Sequence, residues 1–522
     1  MLPCALTNTR QVTGRTVSAG LRGIPLPFPG IAPRVSVLTP VYDPPLGALL
    51  ACAESVRAQT FGDWEWCVVD DCSTRPEVTA ALAELARDPR IRVGRRAHNG
   101  GIVAATNDAL ALASGEFVAL LDHDDALTPN ALERVVAALD GAAGADVDYV
   151  YTDEAHVLAD GREAAHFLKP AWSPERFRSS MYTCHLSVLR RELVSKLGGF
   201  RTGLDGSQDH DLMLRVTEEI TRRGRRILHL PFLGYHWRNI ATSVSRTTTT
   251  LSAAIVNGRR AVQEQCDRLG IDAEVVHGPV GGTYRVVRRL PSDFSATVVV
   301  ASRLEPPSSR PFRLAVQATM EHVAAAHPAA RHVIAYPSSA PHELATLVEE
   351  CAQDRWDLVP VDGVWSVAAA LDRALVLHPA DVLVSVAPGL TARIDMTPDW
   401  LEALSGLAMS PAAGIAGALI ADRHDIVHHA GWDVPNYRWY DLEGRRVGST
   451  TSGNDLLIER ECSHVTLAAA AVTYANWHEF RGSAGGGWHD AGRAMSQAML
   501  DAGARNLWTP YARFDRTVAV DL

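Results

Sequence analysis

The chain has 522 residues, and at about 150 residues per domain this length predicts two to four domains. Hydrophobic residues make up 47% of the chain, which is enough for large cores, and the net charge of −10 argues against a general nucleic-acid binder. The eight cysteines include no C-x-x-C pair, which argues against a zinc site and a disulfide framework. The sequence shows neither a membrane-spanning apolar run nor a signal-peptide core. We therefore expect a cytoplasmic protein, with peripheral membrane association left open.

Short apolar runs alternate with helical patterns through residues 35–140. The apolar runs Val35–Leu38, Trp64–Val69, Ile91–Val93 and Phe117–Leu121 read as strands buried on both faces. Each is followed by a stretch with apolar residues at helical spacing. This order predicts an α/β fold with a doubly wound, mostly parallel sheet.

Acidic residues follow three of these strands, at Tyr42-Asp43, Asp70-Asp71 and Asp122–Asp125. In open α/β sheets ligands bind where the strands end, so these side chains should lie along one edge of the sheet. Three carboxylates crowded within Asp122–Asp125 repel one another and call for a cation or a hydrogen-bonded ligand. Neither a dinucleotide-binding G-x-G-x-x-G after the first strand nor a P-loop is present.

The pattern suggests four segments along the chain. Residues 1–32 are an N-terminal arm, 33–250 a first α/β domain, 251–290 a helical linker and 291–522 a second α/β domain. In the second domain, the strand Val382–Val386 leads into Ala387-Pro388-Gly389, where the first domain has its acids. His428, His429 and His489 are interpreted as packed or surface residues, since no ligand spacing supports a metal site.

Several ordered motifs between about residues 33 and 245 resemble those of the inverting glycosyltransferases of family 2. They are Thr39-Pro40-Val41-Tyr42-Asp43, Val69-Asp70-Asp71-Cys72-Ser73-Thr74, Asn99-Gly100-Gly101, Asp122-His123-Asp124-Asp125, Gly198-Gly199-Phe200, Gln208-Asp209-His210-Asp211 and Tyr235-His236-Trp237-Arg238. The resemblance implies a GT-A fold, and the second domain resembles a degenerate GT-A-like domain. The tandem layout is similar to that of bacterial transferases that build surface polysaccharides, such as rhamnosyltransferases.

The resemblance further implies a nucleotide diphosphate sugar as donor (a UDP-, dTDP- or GDP-sugar) and Mg²⁺ or Mn²⁺ as cofactor. The family's D-x-D acids hold the metal and the donor ribose, which places the ribose at Asp122 and the metal at Asp124 and Asp125. The register of these roles within the loop stays open. His236 could be a third metal ligand through a neutral imidazole.

Donor binding is expected to involve residues from several of the motifs. Asp71 resembles the acid that accepts a hydrogen bond from the nucleotide base, and Asp70-Asp71 could alternatively form an Asx turn with Ser73. Arg238 could contact the diphosphate, because guanidinium matches phosphate oxygens. The full set expected to bind donor is Pro40, Tyr42, Asp43, Asp71, Asn99, Asp122 and Arg238.

Asp209 resembles the family's catalytic base, which deprotonates the acceptor hydroxyl. Gln208 precedes it where the family has Glu, and Asp211 is the competing candidate, although its position also suits a helix cap. The acceptor is expected to be a glycan or a lipid-linked glycan. Two alternatives remain: a non-catalytic carbohydrate- or nucleotide-binding protein, and a phosphohydrolase that would use Asp43 as nucleophile.

Overall fold

The computed structural model describes residues 21–22, 32–141, 144–158, 160–238, 248–303, 310–326, 330–342, 346, 349–350, 352, 355–432, 442–449, 454–483 and 486–517. Of the predicted N-terminal arm, only Leu21–Arg22 and Ala32 fall within these ranges. No helix in the described part of the chain is long and apolar enough to span a membrane.

The bounds of the regular elements are as follows. The strands are β1 Leu21–Arg22, β2 Val35–Val41, β3 Trp64–Asp70, β4 Ile91–Arg96, β5 Phe117–Leu120, β6 Ala126–Leu127, β7 Val147–Val157, β8 Glu163–Phe167, β9 Ser187–Arg190, β10 Arg226–Arg238, β11 Ala273–His277, β12 Tyr284–Arg288, β13 Ala296–Ala301, β14 Arg331–Pro337, β15 Asp357–Val361, β16 Val382–Val386, β17 Leu390–Ala392, β18 Ala413–Asp422, β19 Val427–His429, β20 Arg460–Cys462, β21 Ala469–Thr473 and β22 Arg505–Arg516. The helices are α1 Leu46–Arg57, α2 Pro76–Leu85, α3 Gly101–Leu112, α4 Ala131–Asp140, α5 Pro174–Ser179, α6 Arg191–Lys196, α7 Gln208–Arg222, α8 Thr248–Leu269, α9 Arg310–Ala326, α10 Val367–Leu377, α11 Trp400–Ala408, α12 Tyr474–Phe480 and α13 Trp488–Asp501.

The chain divides into two compact units. The first unit comprises Met1–Lys169 and Thr183–Ala254, and the second comprises Pro170–Tyr182 and Ile255–Leu522. The segment Pro170–Tyr182 therefore belongs to the second unit although it lies within the sequence of the first. The predicted linker region carries most of helix α8 and the hairpin β11–β12. The predicted domain boundaries stay predictions.

The first unit is built on a mixed sheet with strand order β1-β4-β3-β2-β5-β9-β7-β10-β6. Strands β2 to β5 pair in parallel, as their uninterrupted apolar sequences predict. Every residue of β3 is buried, and its apolar side chains join those of β2 and α1 in the core. Strand β9 then inserts antiparallel between β5 and β7. The predicted α/β architecture is confirmed, and the sheet is mixed, with parallel pairing among β2 to β5 and between β7 and β10.

The second unit repeats this topology over eight strands. Its sheet has the order β15-β14-β13-β16-β21-β18-β22-β17, which corresponds to β4-β3-β2-β5-β9-β7-β10-β6. The directions also agree: β13 is parallel to β14 and β16, β21 is antiparallel to β16 and β18, and β22 is parallel to β18. Even the side pairing of β8 on β7 has its equivalent in β19 on β18. The second unit is thus a second copy of the same α/β fold, as the sequence predicted.

Candidate active site

The acidic loop Asp122–Asp125 lies where strand β5 ends in the first unit. The backbone N–H of Leu121 makes the last bond to strand β2, at 3.1 Å from the carbonyl oxygen of Leu38. The chain then turns through the acids and re-enters the sheet as β6, which pairs antiparallel with β10. The loop is therefore anchored on both sides by strands, and its carboxylates are presented at the edge of the sheet.

Asp125 is the most buried acid of this loop, with 2% of its surface exposed. Its Oδ2 accepts a hydrogen bond of 2.8 Å from the Tyr235 hydroxyl, and its Oδ1 accepts one of 2.8 Å from the backbone N–H of Arg238. Burial, together with the negative charge of Asp122, raises the pKa of Asp125 to about 7. The site thus concentrates negative charge that a cation would stabilise.

His185 joins these carboxylates from the residues that precede strand β9. Its imidazole stacks on the ring of Tyr235, with centroids 4.6 Å apart and planes inclined by 18°. One potential ligand atom from each of Asp122, Asp125 and His185 lies within 4.8 Å of the other two. These three side chains can therefore converge on a single ion.

The chemistry of this donor set fits a divalent cation. Two carboxylates and one imidazole supply hard oxygen and borderline nitrogen ligands, a combination that suits Mn²⁺ and that Mg²⁺ tolerates less well. Burial, and after it the charge of Asp122, raises the pKa of Asp125, and a bound cation would stabilise its ionised form. The residues present thus fit the cofactor expected from the sequence.

The two other residues predicted to bind metal are placed differently. Asp124 lies half-buried in the same loop, next to Asp125 but outside the converging group. The imidazole Nε2 of His236 lies 3.2 Å from Oε1 of Glu163 on strand β8. The ligand roles of Asp124 and His236 stay predictions.

Asp209, the candidate base, is the second residue of helix α7. The Nε2 of Gln208 donates to its Oδ2 at 3.1 Å, and the Oε1 of Gln208 accepts from the backbone N–H of Gly206 at 2.7 Å. Burial, and secondarily the charge of Asp122, raises the pKa of Asp209 to about 6, while His185 opposes the shift. The carboxylate therefore shares the electrostatic environment of the acidic loop and remains mostly ionised at neutral pH.

The competing candidate, Asp211, is occupied by ion pairs. Its carboxylate accepts hydrogen bonds from Arg201, including one of 3.0 Å, and from Arg215 at 2.8 and 3.0 Å. Burial alone would raise the pKa of Asp211, but these two arginines outweigh burial and lower it. These contacts favour a structural role for Asp211 at the start of helix α7 over the role of base.

Asp71 follows strand β3, and Asn99 lies in the neighbouring loop between β4 and α3. The carboxylate of Asp71 accepts the backbone N–H groups of Gly100 at 2.9 Å and Gly101 at 2.8 Å, and Arg96 Nε lies 3.0 Å from it. Gly101 has a φ of +80°, a conformation that favours glycine. Asn99 is exposed beside this turn. Asp71 therefore holds the loop that presents Asn99.

Pro40, Tyr42 and Asp43 lie at the end of strand β2. The side chain of Tyr42 is 48% exposed and free to contact a ligand. Burial alone would raise the pKa of Asp43, but hydrogen bonds from Arg75 and Thr74 at 2.8 to 3.0 Å outweigh burial and lower it. Asp43 thus fastens the start of helix α2, a role that does not favour it as the nucleophile of a phosphohydrolase.

Arg238 and Pro40 also support the acidic loop. The Nη2 of Arg238 donates to the carbonyl oxygens of Ala48 at 2.8 Å and Asp125 at 2.9 Å. The carbonyl of Pro40 lies 3.1 Å from Nδ1 of His123. Both residues fix the loop backbone, and their predicted contacts with donor stay predictions.

The equivalent positions of the second unit carry no such acids. The loop between β16 and β17 is Ala387-Pro388-Gly389, and Leu467-Ala468 precede strand β21 where His185 stands in the first unit. His489 occupies the second position of helix α13, in the place of Asp209. His429 is buried, and its Nε2 lies 3.3 Å from the backbone nitrogen of Gly431. Among the described residues of this unit, no group of three potential ligands converges.

Residues 36–198 match the model of the family described as Glycosyl transferase family 2. Residues 36–198 are thus similar to a glycosyltransferase family 2 domain. The match covers the acidic loop, the strands that carry it and His185, and it confirms the resemblance and the GT-A fold inferred from the motifs. Asp209, Tyr235 and Arg238 lie beyond the matched range, in the same compact unit.

Two curated proteins match stretches of this chain that are long enough to include residues of both units. The protein named "Uncharacterized protein y4gI" of Sinorhizobium fredii is 30% identical over 499 residues, covering 92% of this chain and 52% of the relative. The O-antigen biosynthesis protein RfbC of Myxococcus xanthus is 32% identical over 408 residues, covering 76% of this chain and 30% of that protein. The chain thus spans about half of the first relative and less than a third of the second.

Solved structures were compared in the same way. TarS of S. aureus (residues 1–349) in complex with UDP-GlcNAc is 22% identical with a TM-score of 0.34, covering 45% of this chain and 72% of TarS. A mannosyltransferase of Pyrobaculum calidifontis in complex with GDP-Man and Mn²⁺ is 17% identical with a TM-score of 0.31, covering 47% of this chain and 76% of that one.

Proposed function

We propose that the first unit is a metal-dependent, inverting glycosyltransferase that moves a sugar from a nucleotide diphosphate sugar to a hydroxyl acceptor. The convergence of Asp122, Asp125 and His185, with Asp209 in the same electrostatic environment, carries this proposal. The family 2 match over residues 36–198 supports the reaction class.

In the proposed reaction, Asp209 takes the proton of the acceptor hydroxyl as its oxygen attacks the anomeric carbon. The bond between that carbon and the diphosphate breaks at the same time, and the nucleoside diphosphate leaves with the electron pair. One carboxylate suffices as base, because the donor already carries a good leaving group. Asp122, Asp125 and His185 would hold the divalent cation, whose chemistry is to neutralise charge on the departing diphosphate.

The biological setting is proposed from the relatives. The Myxococcus relative is named an O-antigen biosynthesis protein, and a further relative, 28% identical over 187 residues, is the chondroitin synthase of Pasteurella multocida. We therefore propose a role in bacterial surface polysaccharide synthesis, with a glycan or lipid-linked glycan as acceptor. Peripheral association with a membrane is part of this proposal.

A panel of UDP-, dTDP- and GDP-sugars tests the reaction class. The purified chain should release a nucleoside diphosphate from at least one donor with Mn²⁺ present, detected by mass spectrometry, and should lose this activity in EDTA. Asp209→Asn should lower the rate at least about 100-fold, as expected for loss of a general base. Turnover by Asp209→Asn at the wild-type rate would refute the assignment of the base.

Asp211→Asn is the matched control, since it lies two positions away on the same helix. It breaks ion pairs with Arg201 and Arg215, so it should cost about 3 kcal/mol of folding stability or more. The folded fraction should retain turnover. Loss of turnover in folded Asp211→Asn at the level of Asp209→Asn would contradict the distinction between the two acids.

A further inference from the structure

A buried ion pair lies at the point where the chain leaves the first unit and returns to it. Lys169 is the last residue of this unit before the segment Pro170–Tyr182, and Thr183 is the first residue after it. The Lys169 Nζ donates to the carbonyl oxygen of Thr183 at 2.7 Å and to Oε2 of Glu154 at 3.0 Å. The side chains of Lys169 and Glu154 are 0% and 1% exposed. Inside the first unit, the ion pair therefore links the two residues that flank the segment Pro170–Tyr182.

The same pair holds the backbone of His185 on both sides. Oε2 of Glu154 accepts the backbone N–H of His185 at 3.2 Å, and Lys169 Nζ donates to the carbonyl oxygen of His185. Both peptide groups of the imidazole-bearing residue are thus bound to one buried ion pair. This stretch connects the segment Pro170–Tyr182 to strand β9.

Strand β7 in turn fixes the ion pair. The backbone N–H of Lys169 donates to Oδ1 of Asp153 at 2.8 Å, and the same oxygen lies 2.8 Å from Nε2 of His229. Asp153 and Glu154 are consecutive residues of β7. In the pairing of β7 with β10, Glu154 lies opposite Tyr235. The ion pair is therefore built on the strands that also carry the partner groups of the acidic loop.

We propose that Lys169 and Glu154 are positioning residues that place His185 in the metal site. Because the ion pair holds both ends of this segment, His185 keeps its place in the first unit although Pro170–Tyr182 belongs to the second. A buried ion pair often adds little net stability compared with apolar residues, so its value here lies in fixing the geometry of His185. The inference rests on the proposed function, because His185 is a metal ligand only there.

The test measures Mn²⁺ affinity, using the electron paramagnetic resonance signal of free Mn²⁺ in the presence of the full chain. Lys169→Met and Glu154→Gln should each weaken Mn²⁺ binding at least about tenfold, the effect typical of groups that orient metal ligands. In a His185→Ala background, Lys169→Met should have no further effect on the affinity, because the residue it positions is gone.

Arg92→Met is the matched control, because Arg92 and Glu65 form another buried pair in the first unit, 3.5 Å apart, away from the acidic loop. It should lower the melting temperature and leave Mn²⁺ affinity within about twofold. Should Lys169→Met fail to fold, Glu154→Gln decides the question.

The inference is overturned if the folded variants bind Mn²⁺ within twofold of wild type. It is equally overturned if Lys169→Met weakens binding by the same factor with and without His185. Failure of the wild-type chain to bind Mn²⁺ would remove the proposed metal role together with this inference. Normal wild-type binding with unaffected variants would remove the inference alone.

Discussion

At the scale of single residues, Tyr235 connects the three candidate metal ligands. Its hydroxyl donates to Oδ2 of Asp125 at 2.8 Å and accepts the backbone N–H of Asp122 at 3.3 Å, while its ring stacks on His185. The residue is fully buried. One side chain thus sets the spacing of two carboxylates and an imidazole, which is the geometry on which a bound ion depends.

Tyr235→Phe should keep the stacking on His185 and remove both hydrogen bonds of the hydroxyl. We expect Mn²⁺ affinity to fall about 10- to 100-fold, since the acids lose the group that orients them. Isothermal titration calorimetry measures this, and circular dichroism should show an unchanged fold. Wild-type affinity in the folded variant would mean that Tyr235 only packs.

The histidines His185 and His236 were marked differently by the sequence and lie differently in the structure. His236 belongs to a family motif and was expected to bind metal, whereas His185 has no local pattern that marks it. Successive residues of a strand face opposite sides, so Tyr235 faces the acids and His236 reaches Glu163 instead. His185 approaches the acids because β9 inserts between β5 and β7, a long-range pairing that local sequence does not encode.

At the scale of elements, helix α5 and its flanks are fixed inside the second unit by charged side chains. Glu175 lies within ion-pair distance of Arg178 at 2.7 Å, Arg288 at 2.5 Å and Arg505 at 3.3 Å, and is 2% exposed. Arg176 pairs with Asp455, and Ser173 donates to Glu461. These contacts make Pro170–Tyr182 a structural part of the second unit.

This network predicts acid sensitivity. Burial alone would raise the pKa of Glu175, but the three arginines outweigh burial and lower it well below its usual range. A carboxyl whose pKa is lowered on folding stabilises the protein above its unfolded-state pKa of about 4.3, and this stability is lost as the pH falls further. Thermal unfolding followed between pH 7 and 3 should therefore show stability declining below about pH 4.3.

Glu175→Gln should be less stable than wild type at pH 7 and should lose less stability on acidification. Glu84, which is exposed and pairs with Arg87 on the surface, supplies the control: Glu84→Gln should leave the pH profile unchanged. If Glu175→Gln and wild type decline in parallel, the arginines around Glu175 do not stabilise its ionised form.

At the scale of the whole molecule, the chain holds two copies of one topology and one assembled cluster of acids among the described residues. The alternation of strands and helices in the first unit could be predicted because buried parallel strands have uninterrupted apolar sequences, and the acidic loop because ligands bind at strand ends. Asp209 was predicted as the base from its motif and lies at the start of α7, and its role stays a prediction. The membership of Pro170–Tyr182 in the second unit could not be predicted, since it depends on ion pairs with residues more than a hundred positions away in the sequence.

The central claim is that Asp122, Asp125 and His185 form a metal site through which a nucleotide donor binds. The most direct test is calorimetric titration of UDP, dTDP and GDP into the chain, with Mn²⁺ or with EDTA. We predict that at least one nucleotide binds with Mn²⁺ and not with EDTA, that His185→Ala weakens this binding at least about tenfold and that the matched variant His236→Ala retains it. Binding that is independent of the metal, or that is lost in His236→Ala and kept in His185→Ala, would contradict the account.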